Sequence, residues 1–149
     1  MEFQTLQELT ETISWRIRNI GSNIECVKED LDNYVGNDWT NYIEFDDEKY
    51  NRVKIFQNDH FEILLICWNK NQSTLIHKHP KNGCVFRTLQ GTLYEKRYKP
   101  DVKTEYKLFT YDNTAKSSYI DDLIGVHKIE SKDAMSVSIH VYSPPLFYS

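Results

Sequence analysis

Residues 75–84 read Leu75-Ile76-His77-Lys78-His79-Pro80-Lys81-Asn82-Gly83-Cys84, and Gly91 closes the segment after six further residues. Two histidines one residue apart, among β-branched neighbours, are what a strand offers a metal. Residues i and i+2 leave a strand on the same face, so His77 and His79 reach one point together. A third ligand has to come from elsewhere, and the remaining histidines are His60, His127 and His140.

On the N-terminal side of this stretch, residues 61–68 form an apolar, β-rich run suited to a buried strand. Residues 50–56 alternate as a strand, followed by a turn at Asn58-Asp59. Residues 69–72 are the next turn, and 73–79 read as the strand that carries the histidine pair. On the C-terminal side, strands are predicted at 84–89, 92–98, 106–111, 117–120, 125–129 and 135–142. Short strands at this spacing, with no helical pattern between them, predict a closed or sandwiched all-β body.

The first 36 residues differ. Leu6, Leu9, Ile13, Ile17 and Ile20 recur at helical spacing over 5–20, and Gly21 supplies a stop. Ser22-Asn23-Ile24-Glu25 has the spacing of a capping box. Ile24, Val27, Leu31 and Tyr34 then share one face of a second helix running to Val35. Both helices read as a structural cap (1–36) on a β body (50–145), and the whole chain, 1–149, as a single domain.

Composition narrows the function. The net charge is −4 with Lys and Arg scattered, so no basic stripe recommends nucleic acid as a partner. Ten Tyr, seven Phe and three Trp are enough to line a pocket as well as a core. The cysteines, Cys26, Cys67 and Cys84, have no paired spacing, which favours a reducing compartment. There is no signal-peptide pattern and no apolar run near the ~18 residues a membrane span needs, so the expectation is a cytoplasmic protein without membrane partners.

His77-x-His79, four residues, Cys84, six residues and Gly91 resembles the first signature of the cupin barrels, with cysteine in the place of their glutamate. Gly125-x-His127 resembles their second. The dispersed set Tyr50-x-Arg52, Cys67-Trp68, His77-x-His79, Cys84, Leu89-Gln90-Gly91, Gly125-x-His127 and Ser138-x-His140-x-Tyr142-Ser143-Pro144-Pro145 is similar to the cysteine dioxygenases, thiol dioxygenases of the cupin superfamily. The resemblance implies a mainly β fold, a cupin-type β-barrel (jelly roll) with the N-terminal α-helices packed outside. It implies one Fe(II) per chain on His77, His79 and His127, no organic cofactor, and a monomer active in cysteine catabolism.

The resemblance also implies roles. Arg52 would hold the carboxylate of L-cysteine, assisted by Tyr50, and O2 would convert the thiol to L-cysteine sulfinic acid. Ser138, His140 and Tyr142 alternate onto one face, where a buried polar row has to satisfy its own hydrogen bonds. His140 and Ser138 would orient the Tyr142 hydroxyl, and Cys84 and Tyr142 match a pair that becomes joined by a thioether. Three neutral imidazoles would leave a 2+ ion its full charge for a thiolate. Cys26, Cys67 and His60 read as ordinary structural or solvated residues.

The rival readings are a dioxygenase for another small thiol such as 3-mercaptopropionate, and a non-catalytic metal-binding cupin that senses a small molecule. A cupin isomerase lacks an acid/base pair at matching positions. The sequence ends seven residues beyond Tyr142, where many relatives continue. If that segment shields the pocket, a more open one is expected here, unless the N-terminal helices or a partner chain cover it.

Overall fold

In a computed structural model, which describes residues 1–20, 23–101 and 104–147, the apolar run becomes a strand buried along its whole length. That strand is β2 (Glu62–Trp68), and its burial follows from its place. It lies between β1 (Asn51–Gln57) and β8 (Ser136–Tyr142) in an antiparallel sheet that continues through β3 (Cys84–Gln90) to β6 (Ser118–Ile120). A second antiparallel sheet has β4 (Thr92–Tyr98) between β5 (Glu105–Asp112) and β7 (Val126–Ser131).

Alternation assigns the two faces of the larger sheet different jobs. Ile63, Leu65, Cys67, Val85, Val137, Ile139 and Val141 form one core with the helices. Ile66, Trp68 and Phe86, on the opposite face, pack with Leu93 and Ile129 of the second sheet. The polar row Ser138, His140 and Tyr142 also lies in phase with this inner face. The sheets therefore enclose an interior in cupin fashion, while hydrogen bonding leaves two separate sheets instead of one closed barrel.

α1 (Leu6–Ile20) buries Leu6, Leu9 and Ile13, each a contribution of roughly 1.5–3 kcal/mol by area. The second helix is shorter than its periodicity suggests: a 3-10 turn at Ile24–Cys26 leads into α2 (Val27–Asp32). Tyr34, predicted on its last turn, instead pairs with Phe3 in a parallel bridge and hydrogen bonds Asp38 through its hydroxyl. Gly21 and Ser22, the expected stop and cap, fall outside the described residues. The Asn23 side chain does the capping, accepting the Glu25 N–H at 2.8 Å. Arg16 grips the buried Asp30 through two bonds of 2.6 and 2.8 Å, fastening α1 to α2.

The expected strand over 73–79 is not a strand. This segment is extended and touches β7 through two isolated bridges, Ser73 to Glu130 and His77 to His127. Its residues carry β propensity, but continuous pairing is missing between the two bridges. No helix among the described residues is long and apolar enough to cross a membrane.

The Arg87 guanidinium donates from β3 to the Leu31 and Tyr34 carbonyls, both at 2.6 Å, and so ends the helical cap on the sheet. Arg87→Ala strands those acceptors. The expected cost is roughly 1–3 kcal/mol, read as a drop of several degrees in Tm by calorimetry with metal binding retained.

Candidate metal centre

The site begins with backbone. The His77 N–H donates to the His127 carbonyl at 2.9 Å, and the His127 N–H returns to the His77 carbonyl at 3.3 Å. A reciprocal pair of this kind sets two residues directly opposite and turns their side chains to one face. Farther along, the Thr74 N–H donates to the Ile129 carbonyl at 2.9 Å, holding the extended segment against β7. The His79 N–H is claimed by the Asp122 carboxylate at 2.8 Å, which fixes the third ring.

Each imidazole then has its Nδ1 occupied. His77 Nδ1 donates to the Leu75 carbonyl at 2.8 Å, His79 Nδ1 to Asp122 at 3.2 Å, and His127 Nδ1 to Glu95 at 2.5 Å. These acceptors carry no proton to give, so the Nδ1 atoms hold the hydrogens and the Nε2 atoms present lone pairs. His77 Nε2 and His127 Nε2 face each other at 2.9 Å. His79 Nε2 is buried with no hydrogen-bond partner. All three ligand atoms lie within 4.8 Å of one another.

Burial keeps the rings neutral. It is the first cause lowering His77 and His127, and it takes His79 down to about 2, with the neighbouring imidazoles adding to the effect. Converging neutral lone pairs repel unless a cation lies among them. Metal–imidazole bonds of about 2.1 Å would put two such nitrogens roughly 3 Å apart, in agreement with the His77–His127 distance. The donor set therefore fits a metal ion.

A cavity of about 250 Å³ lies next to the triad, with His77, His140, Tyr142, Tyr50, Arg52 and Trp68 in its wall. Tyr50 precedes β1 and stacks on Trp68 at 4.9 Å between centroids. Arg52 is exposed at its mouth, in phase with Tyr50. The helices pack on the opposite face of the sheet and supply none of the described residues of this wall, so of the two alternatives for covering a more open pocket, the helices do not do it.

The expected polar row is continuous. The Trp68 indole donates to Ser138 Oγ at 2.9 Å, Ser138 Oγ meets His140 Nε2 at 2.7 Å, and His140 Nδ1 meets the Tyr142 hydroxyl at 3.1 Å. Burial holds His140 neutral, so one ring nitrogen donates and the other accepts. The Tyr142 hydroxyl hydrogen is used toward Cys84, which leaves its oxygen to accept from His140 Nδ1 and His140 Nε2 to accept from Ser138. Cys84 is the cross-strand neighbour of Tyr142 in the β3–β8 register. Burial raises its thiol well above the ordinary range, with Glu95 adding to this and a Tyr142 hydrogen bond opposing it. Cys67 is buried on the helix side of β2, Cys26 is part-buried, and His60 is exposed.

Sequence reading missed Glu95, Arg97 and Asp122. Two of them had a signal. In Thr92–Tyr98 the inward phase set by Leu93 carries Glu95 and Arg97 with it, and all three are buried. Asp122 arrives from a turn far from His79 in sequence, and no local pattern marks it.

Fold and site together define a cupin fold with a cluster of three histidines arranged as a metal could use them. Among solved structures, a protein from Thermus thermophilus matches at TM-score 0.60 and 15% identity, covering 72% of this chain and 95% of its own. A cupin superfamily protein from Desulfitobacterium hafniense matches at TM-score 0.56 and 13% identity, over 68% and 83% of the two chains. The family model for cysteine dioxygenase type I matches residues 2–148. The chain is 32% identical to cysteine dioxygenase type 1 of Rattus norvegicus over 95% of its length and 76% of the relative's. It is 30% identical to that of Danio rerio over 97% and 77%. The chain belongs to the cysteine dioxygenase type I family.

Two outcomes test the triad. His79→Ala should weaken divalent-metal binding by more than roughly 100-fold in chelator competition, since losing a ligand exceeds the cost of losing its outer partner. The folded imidazoles resist protons that unfolded ones accept near pH 6.5, so the unfolded state binds more protons as pH falls. The urea midpoint of metal-free protein should therefore be level above about pH 7.5 and decline by about pH 5.5. A midpoint unchanged across that interval contradicts a neutral triad.

Proposed function

We propose that the chain is an iron-dependent cysteine dioxygenase, joining both atoms of O2 to the sulfur of L-cysteine to give L-cysteine sulfinic acid. The observation that carries this reading is the cavity, whose wall holds both Arg52 and His77, one of three convergent imidazoles. Four electrons leave the sulfur and O2 takes them up, so no external reductant or organic cofactor enters the balance. Fe(II), one per chain on His77, His79 and His127, would supply a charge that favours a thiolate and a route for O2 activation.

The chain's own residues position and exclude. Arg52 binds the substrate carboxylate through paired, charge-assisted hydrogen bonds, with Tyr50 beside it on the stacked Trp68. A cavity of about 250 Å³ has room for an amino-acid-sized molecule. Neutral His140, held by Ser138, donates to the Tyr142 oxygen and so directs the hydroxyl hydrogen away from itself, toward Cys84 and the reacting end of the cavity. The Cys84–Tyr142 register supports a thioether between them; its formation removes two hydrogens, which O2 accepts.

Free cysteines throughout the chain accord with a cytoplasmic setting. In this reading the chain is a single domain acting as a monomer. 3-Mercaptopropionate presents the same carboxylate and thiolate, so it is the competing substrate to measure.

Anaerobically iron-loaded protein should consume O2 with L-cysteine faster than with 3-mercaptopropionate or cysteamine, and mass spectrometry should find the sulfinate. No thiol-dependent uptake overturns the enzyme reading, and faster turnover of 3-mercaptopropionate overturns the substrate. Arg52→Ala should raise KM for cysteine roughly 10- to 100-fold, the worth of hydrogen bonds to a charged group. Intact mass should show a two-hydrogen loss that maps to the peptides of Cys84 and Tyr142.

A further inference from the structure

Glu95 is fully buried on β4 and its two oxygens have separate duties. Oε2 accepts the His127 Nδ1 hydrogen at 2.5 Å. Oε1 accepts from Arg97 Nε at 3.0 Å and from the Tyr111 hydroxyl at 2.9 Å. Arg97 is itself buried and anchored, donating to Ser118 Oγ at 2.8 Å and to the Tyr119 carbonyl at 3.0 Å, with its guanidinium 4.9 Å over the Phe109 ring. A carboxylate alone in this interior would be strongly unfavourable, and Arg97 supplies the opposing charge.

The three outer partners of the triad are therefore unequal. His77 has a neutral backbone carbonyl. His79 has Asp122, whose side chain is 47% exposed, so water screens its charge. His127 has a carboxylate at 0% exposure, where screening is weak. A hydrogen bond from Nδ1 to a buried carboxylate draws the proton away from the ring and enriches Nε2, the ligand atom.

We propose that Glu95 is a positioning residue that orients His127 and raises its strength as a metal donor, with Arg97 and Tyr111 limiting how far. The three-histidine site is then not electrically neutral in effect: one ligand has partial imidazolate character, and its degree is set on the other oxygen of Glu95. This rests on the metal-binding reading given above.

The test uses the full chain loaded with Fe(II) without oxygen, wild type beside Glu95→Gln and Tyr111→Phe. Glutamine keeps an acceptor for His127 and removes the charge. It should weaken Fe(II) binding roughly 10- to 100-fold in chelator competition and raise the Fe(III)/Fe(II) potential. Phenylalanine keeps the ring and frees Glu95 of one donor, so the potential should move the opposite way. Opposed shifts support the proposal, because mere loosening of the interior would move both variants together. A Gln variant with wild-type affinity and potential, or two variants shifted in the same direction, overturns it. Wild-type protein that binds no Fe(II) overturns the metal reading first and this inference with it.

Discussion

The site depends on the paired backbone hydrogen bonds between His77 and His127. Around them the 73–79 segment has no ladder; it is held to β7 by the second bridge at Ser73 and by the two bonds Thr74 makes with Ile129. That one reciprocal pair sets the two rings opposite each other, and Asp122 then turns His79 into the same space. An unlaced segment suits a cavity wall, since its side chains need not obey the strict alternation of a full strand. Pro80, immediately after His79, offers no N–H that would extend the pairing.

A second constraint is electrostatic. Burial drives the imidazoles to their neutral forms, and three acceptors hold their Nδ1 hydrogens, so the lone pairs have nowhere to point but at each other. The same interior contains a carboxylate and a guanidinium in contact, Glu95 and Arg97. Their mutual compensation makes a charged group tolerable beside a metal ligand. The polar row from Trp68 to Tyr142 on the facing sheet is neutral by contrast, a chain of hydrogen bonds with one direction. One wall of the interior thus handles charge and the other handles a single hydroxyl.

Period-two alternation was legible in the last strand, where it put Ser138, His140 and Tyr142 together on one face, while Cys84 was singled out by the family resemblance alone. It also misled. Thr74, Leu75 and Ile76 look like strand, yet pairing depends on a partner that local composition does not reveal. Tyr34 fitted the helical spacing of Ile24, Val27 and Leu31, but its hydroxyl is drawn to Asp38 and its backbone to Phe3. The buried Glu95–Arg97 pair was readable from Leu93 onward, and charged character argued against the inward phase that alternation required. Asp122 was beyond reach, because a turn's position over His79 is a tertiary fact.

The central claim is that His77, His79 and His127 share one metal ion beside a cavity that takes a thiol. X-ray absorption at the iron edge, on anaerobically loaded protein before and after adding L-cysteine, tests both halves at once. The account predicts a shell of light atoms with the scattering signature of three imidazoles, gaining one sulfur when cysteine is added. Iron with fewer imidazoles, or a shell unchanged by saturating cysteine, would contradict it.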